Sequence, residues 1–420
     1  MSVRKVLNIS SGDLVGSRFN GFDWRDALLN HGIESTLAAH WNIHSEEEWV
    51  VPVSQRYSTG RYRKFSRHFF LQALDMGSDV SNYPWSKDIF NLPSYIEADL
   101  VHLQVVHDGT LDVSTIERII KEKPVVWTWH DPWPLTGHCI YPMTCSEFKS
   151  GCGQCPDLQR AFSIGRDLAH KNLIRKSQMW ELDFTLHVST NWFKDLITER
   201  LPDTKPRNLS VLPFGLDINR FNSSAKNASR VRFKIKEGNL VIGIRAVTEY
   251  QKNFDLFLRS LRILPDHIKN RISIVTIQNS GMLDSIEDLS QVVELPWSND
   301  PKTISDFYDS LDIFIMPSRY ETFGFMSLEA MAHGIPVVGL ANTAIDEICQ
   351  LEINGFRLMQ DSPLELANTI ISLALDRTSL IEKSELGKKW VSDKFDLPAF
   401  IDNLVSMYRE TYRSFWSRNG

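Results

Sequence analysis

Short apolar runs recur along the 420-residue chain, separated by stretches in which apolar residues fall three and four apart. Val3–Ile9 predicts a first strand. A loop holding Gly12, Gly16 and Gly21 follows, then a helical stretch that stops at His31-Gly32, then a second strand at Ser35–Ala39. Asp99–Leu103, Val125–Trp129, Phe184–Val188 and Leu209–Leu212 predict further strands, with a helical segment near Asp167–Met179. The polar stretch Asn222–Arg232 interrupts the pattern and predicts a surface segment near a domain boundary. The alternation then restarts: strands at Leu240–Ala246, Arg271–Ile277, Asp312–Met316 and Pro336–Leu340, with helices at Asn253–Leu264 and Phe325–His333. From about Pro363 to Arg418 the pattern is helical. Such alternation predicts parallel sheets with helices on both faces. Two series in succession predict an α/β protein of two domains, 1–213 and 214–395, with a helical segment over 396–420 placed to pack back on the first. A ligand cleft is expected between them, because open parallel sheets bind ligands at the carboxyl ends of their strands.

Composition narrows the class. Apolar residues at 42% and charged residues at 23% exclude wholesale disorder. Lys and Arg number 46 against 52 Asp and Glu, a net charge of −6, which argues against a general nucleic-acid binder. No apolar run approaches the roughly 18 residues of a membrane helix. The opening Met1–Ser10 is too short and too polar for a signal-peptide core, so a soluble, cytoplasmic protein is expected. Four of the five cysteines crowd into Cys139, Cys145, Cys152 and Cys155. Only the final Cys-x2-Cys has a common zinc spacing, with His138 as a substitute ligand. Gly137, Gly151, Gly153, Pro142 and Pro156 punctuate this segment, and little apolar material is there to hold it. A structural zinc is one reading, with disulfides and plain reduced thiols as the others.

Candidate chemistry gathers near the second series. Glu321 and Glu329 have seven residues between them, the first in the loop after a strand and the second about two turns into the next helix. Gly324 permits close backbone approach, and the helix start offers free amides to an anion. Two carboxylates flanking an anion site suit a ligand with phosphate and hydroxyls; the plainer alternative is a helix-capping Glu321 and a solvated Glu329. Arg245 and Lys252 follow a strand and precede a helix, where they could meet phosphate oxygens or simply be solvated. Residues 56–70 carry five Lys or Arg and five aromatics without an acid, with Arg61, Arg63 and Lys64 at their centre. They read as a solvated helix face over a buried aromatic stripe, or as a surface for an anionic membrane or lipid-diphosphate acceptor, with nucleic acid the least favoured.

The stretch Pro317–Val338, with its Ala330-Met-Ala-His-Gly-Ile-Pro-Val-Val338 tail, resembles the E-x7-E motif of retaining glycosyltransferases of family 4. Val211–Phe221 is similar to the segment with which that family enters its second domain. Asp346-Glu-Ile348 resembles its Pro-Glu-Ile, with Asp in place of Pro. Thr128–Cys139 resembles a subset associated with bacterial polysaccharide assembly. The resemblance implies the GT-B fold, two Rossmann-like domains facing across a cleft. It also implies transfer of a hexose from a UDP- or GDP-sugar to a glycan, here a lipid-linked bacterial surface polysaccharide, at or near the inner face of the membrane. It assigns Glu329 to the ribose and Glu321 to the donor sugar. Phe323, Gly324 and Phe325 would lie near the diphosphate, Arg245 and Lys252 would bind it, and His130 would lie beside the donor sugar. Asp131 could orient His130. Gly16 matches the family's glycine-rich first loop, an ordinary tight turn being the alternative. His102 and His107 are acceptor-side candidates. No divalent metal is expected in catalysis. Two other classes share parts of the pattern: a nucleotide-sugar 2-epimerase of the same architecture, and a non-catalytic zinc- or nucleic-acid-binding protein.

Overall fold

The computed structural model describes residues 2–160, 162–201, 208–221, 226–278, 281–286, 289–298 and 300–419, so residues 222–225 of the polar stretch lie outside it. Two compact units emerge: Met1–Phe214 together with Pro398–Gly420, and Gly215–Leu397.

The first unit is built on a seven-stranded parallel sheet. Its strands are β1 (Lys5–Gly12), β2 (Glu34–Asn42), β3 (Val50–Pro52), β4 (Leu100–Leu103), β5 (Val125–Thr128), β6 (Thr185–Val188) and β7 (Asn208–Val211), in the order β3-β2-β1-β4-β5-β6-β7. The second carries six parallel strands: β8 (Leu240–Arg245), β9 (Ile272–Ile277), β10 (Gln291–Leu295), β11 (Ile313–Met316), β12 (Val337–Leu340) and β13 (Phe356–Leu358), in the order β10-β9-β8-β11-β12-β13. β4, β5, β6, β9, β11 and β12 are buried along their whole length. That explains why they read as unbroken apolar runs rather than alternating ones. Both sheets have the doubly wound, Rossmann-like arrangement. The winding reverses between β1 and β4 in one unit and between β8 and β11 in the other, and at such a switch point the strand ends leave a crevice.

The long C-terminal helix, Leu397–Asn419, is tied to the first sheet through a buried polar relay. Tyr408 Oη is 2.8 Å from His102 Nδ1, His102 Nε2 is 2.7 Å from Thr128 Oγ1, Thr128 Oγ1 is 2.7 Å from His187 Nδ1, and His187 Nε2 is 2.7 Å from the Leu212 carbonyl. The carbonyl can only accept, so His187 Nε2 carries a proton. Each hydroxyl then donates one bond along the chain, and both imidazoles are neutral. Burial favours that state. It holds His102 well below the ordinary 6.5 and His187 at about 4, and it lowers His40 and His130 to about 3. His107 runs the other way, because Asp131 outweighs its burial and raises it.

An acid sensitivity follows. Above pH 6.5 these four histidines are neutral in both folded and unfolded chains. Below it the unfolded chain takes up protons that the folded one refuses, so stability falls from pH 6.5 toward 4 by about 1.4 kcal/mol per pH unit for each such histidine. Urea midpoints measured at pH 7.5, 6 and 5 should drop steeply over the last two. A flat profile would contradict the neutral relay.

Candidate active site

In the second unit the chemistry gathers at the carboxyl ends of β8 and β11, the switch point of that sheet. Arg245 is the last residue of β8. Its Nε donates to Gln278 Oε1 at 3.1 Å, and its guanidinium lies 4.9 Å from the centre of the Trp297 ring. Lys252 closes a short turn, Tyr250–Lys252, before the helix Phe254–Arg262. From the loop after β11, Glu321 reaches back to it, with Oε2 2.6 Å from Lys252 Nζ. Both side chains are mostly buried, so this pair is worth more than a solvent-exposed one. Glu321 is therefore not a helix cap.

The next helix, Phe325–Ala332, starts from Gly324 at φ +95°. A Cβ there would sit 2.2 Å from Ile345 Cδ1, so both the backbone angle and the packing demand glycine. Phe323 and Phe325 flank it, with ring centres 4.9 Å apart. Glu329 is the fifth residue of this helix, little more than one turn in rather than two. It is 1% exposed and accepts from Tyr308 Oη at 2.8 Å. The solvated alternative is excluded by that burial.

In the first unit, Gly16 sits at φ +85°, and a Cβ would collide with the Phe19 ring at 2.5 Å. Local turn packing therefore accounts for this glycine. His130, two residues beyond β5, donates from Nε2 to Gln104 Oε1 at 2.8 Å and lies between Phe19 and Phe214. As a neutral imidazole it can bond a hydroxyl but holds no proton to give as an acid near pH 7. Asp131 serves His107 instead: its Oδ2 is 3.2 Å from His107 Nε2, and Oδ1 accepts from the Trp133 backbone at 2.9 Å. His102 belongs to the relay described above, fully buried with both ring nitrogens engaged, and so is a core residue rather than an acceptor-side one. His107 is also buried, stacked on Trp133.

Arg61, Arg63 and Lys64 are exposed on the helix Gly60–Asp75, with Phe65 and Leu71 exposed beside them. Arg63 also donates to the Trp41 carbonyl at 2.5 Å. All five cysteines are free thiols. His138 Nε2 is 3.3 Å from Cys155 Sγ, while burial raises Cys139 to about 12 and Cys152 to about 11. Among the described residues no group of three or more His, Cys, Asp or Glu stands arranged to hold a metal ion. Nor is the segment without a core of its own: Phe148, Cys152, Ala169 and Leu173 pack together beneath it.

Tyr308 and Gln104, the partners of Glu329 and His130, escape a sequence reading. They lie 21 and 26 residues from the groups they hold, with no local pattern to mark them.

Residues 225–390 match the family model described as "Glycosyl transferases group 1". All of Arg245, Lys252, Glu321 and Glu329 fall within this range. The chain is 21% identical over 314 residues to WcaC of Escherichia coli K12, a glycosyl transferase ascribed to colanic acid biosynthesis, covering 72% of this chain and 75% of that one. Among solved structures it resembles sucrose-phosphate synthase from Thermosynechococcus elongatus, with TM-score 0.71, 14% identity, and 98% of this chain and 100% of that one covered. HepE from Anabaena, solved with UDP-glucose, gives TM-score 0.62 and 15% identity, over 98% of this chain and 99% of that one. These likenesses show a GT-B type fold of two Rossmann-like units, with the matched residues 225–390 inside the second.

Proposed function

We propose that the protein is a retaining glycosyltransferase that moves a hexose from a UDP- or GDP-sugar to a glycan, a lipid-linked precursor of a bacterial surface polysaccharide. The observation that carries this reading is the buried Glu329 carboxylate in the helix that follows the Lys252–Glu321 pair at the switch point of the second sheet. A carboxylate in that setting is a strong acceptor for two ribose hydroxyls. Lys252 and Arg245 offer positive charge where the departing diphosphate gains negative charge, which is where a transferase needs it. Glu321, already holding Lys252, would turn its free lone pairs to hydroxyls of the donor sugar. His130 would meet a sugar hydroxyl as a neutral imidazole. The exposed basic and aromatic face of Gly60–Asp75 suits an anionic, lipid-linked acceptor at a membrane surface.

The test is a panel of UDP- and GDP-sugars screened by thermal shift, since one bound ligand stabilises by RT ln(1 + [L]/Kd). The donor that shifts the transition is then incubated with glycan acceptors, and the product is read by proton NMR. Retention predicts a product with the donor's own anomeric configuration. Inversion, or release of free nucleotide with an epimerised sugar and no acceptor, would overturn the proposal.

A further inference from the structure

The residue after Lys252 stands in the left-handed region, with φ +58°, which glycine adopts most readily. Asparagine tolerates it as well, and here its side chain makes use of the position. Asn253 is buried, and its Nδ2 donates to the Pro317 carbonyl at 3.1 Å and to Asp361 Oδ1 at 3.0 Å. Both partners accept only, which fixes the orientation of the amide. The other oxygen of Asp361 accepts from Arg319 Nε at 2.6 Å. Arg319 in turn donates from Nη1 to the Tyr250 carbonyl at 3.0 Å, lies 4.4 Å from the centre of the Tyr250 ring, and donates from its backbone N–H to the Gln251 carbonyl at 2.9 Å.

These bonds join two loops that are about 70 residues apart in sequence. One carries Lys252 and the other carries Glu321. A lysine ammonium is a point charge on a flexible stem, so its aim depends on how firmly the backbone beneath it is held. Glu321 likewise hangs from a loop rather than a helix. We infer that Asn253, Arg319 and Asp361 form a clamp that sets Lys252 and Glu321 in register for a diphosphate-sugar, making all three positioning residues for the donor. The inference rests on the donor-site reading above. It also accounts for an asparagine where a glycine would satisfy the backbone: the amide supplies the tether that glycine lacks.

Asn253→Gly is the informative variant, because glycine keeps the left-handed turn and removes only the amide. Binding is measured by titration calorimetry with UDP against UMP, and GDP against GMP, on the full chain. Asn253→Gly and Asp361→Ala should each weaken the diphosphate about five- to tenfold. The monophosphate should change less than about twofold. In a Lys252→Ala background, Asn253→Gly should cost nothing further, since the group it aims is gone. A purely structural role would weaken mono- and diphosphate alike. Wild-type diphosphate affinity in Asn253→Gly, or an undiminished loss in the Lys252→Ala background, would overturn the clamp alone. If the wild-type chain binds neither UDP nor GDP, the donor-site reading fails and the clamp falls with it.

Discussion

Replacing Asp79 with alanine is expected to destabilise the first unit by about 3–5 kcal/mol. Asp79 and Lys176 are both fully buried, with Oδ2 2.8 Å from Nζ. The same oxygen accepts from Trp133 Nε1 at 2.8 Å, and the Lys176 ammonium lies 4.4 Å from the centre of that ring. Alanine would leave an ammonium and an indole N–H without an acceptor in a dry interior. The cost therefore comes from the stranded charge more than from the lost pair. It follows that Asp79→Leu combined with Lys176→Met should recover most of the loss, because an apolar pair of similar volume often matches a buried ion pair. Urea unfolding followed by tryptophan fluorescence suits the test, since all of the twelve tryptophans except Trp297 and Trp390 belong to the first unit. A single variant within about 1 kcal/mol of wild type would mean that Lys176 finds another partner or loses its proton at little cost.

The second large effect concerns ligand rather than fold. Glu329→Ala should cost about 1.5–3 kcal/mol of nucleotide binding, the usual worth of a hydrogen bond to a charged group. The carboxylate is held from behind by Tyr308 Oη, so its rotamer is set before any ligand arrives. Such preorganisation lowers the entropy lost on binding. The loss should fall on the nucleoside, leaving the contribution of the diphosphate to Lys252 and Arg245 in place.

Much of this architecture was legible along the chain. The largely buried strands β1, β2, β4, β5, β6, β8, β9, β11 and β12 show as short apolar runs, and so does the edge strand β7. The strands that escape notice are β3, β10 and β13, and all three are sheet edges. These strands are half-exposed: Gln291–Leu295 mixes polar and apolar residues, and Val50–Pro52 is only three residues long, so neither presents a run. Pro52 is itself an edge residue, since it has no N–H for a central ladder. Glu321 and Lys252 were expected at one site, and the fold does bring them together. What sequence could not convey is which groups hold them. The tie between Asn253 and Asp361 spans 108 residues, and that between His102 and Tyr408 spans 306, so no local spacing announces either. The cysteine spacing likewise says little about where each thiol sits. A short interval fixes how near two thiols can come, but the small core of Phe148, Cys152, Ala169 and Leu173 decides where Cys152 goes.

The central claim is that the second unit holds a nucleotide through Glu329. Titration calorimetry of UDP and GDP into the wild-type chain and into Glu329→Ala tests it most directly. The account predicts that one of the two nucleotides binds the wild type, and that its affinity falls by about 10- to 150-fold in the variant while the melting temperature holds. Equal affinity in both proteins, or no binding of either nucleotide to the wild type, would contradict it.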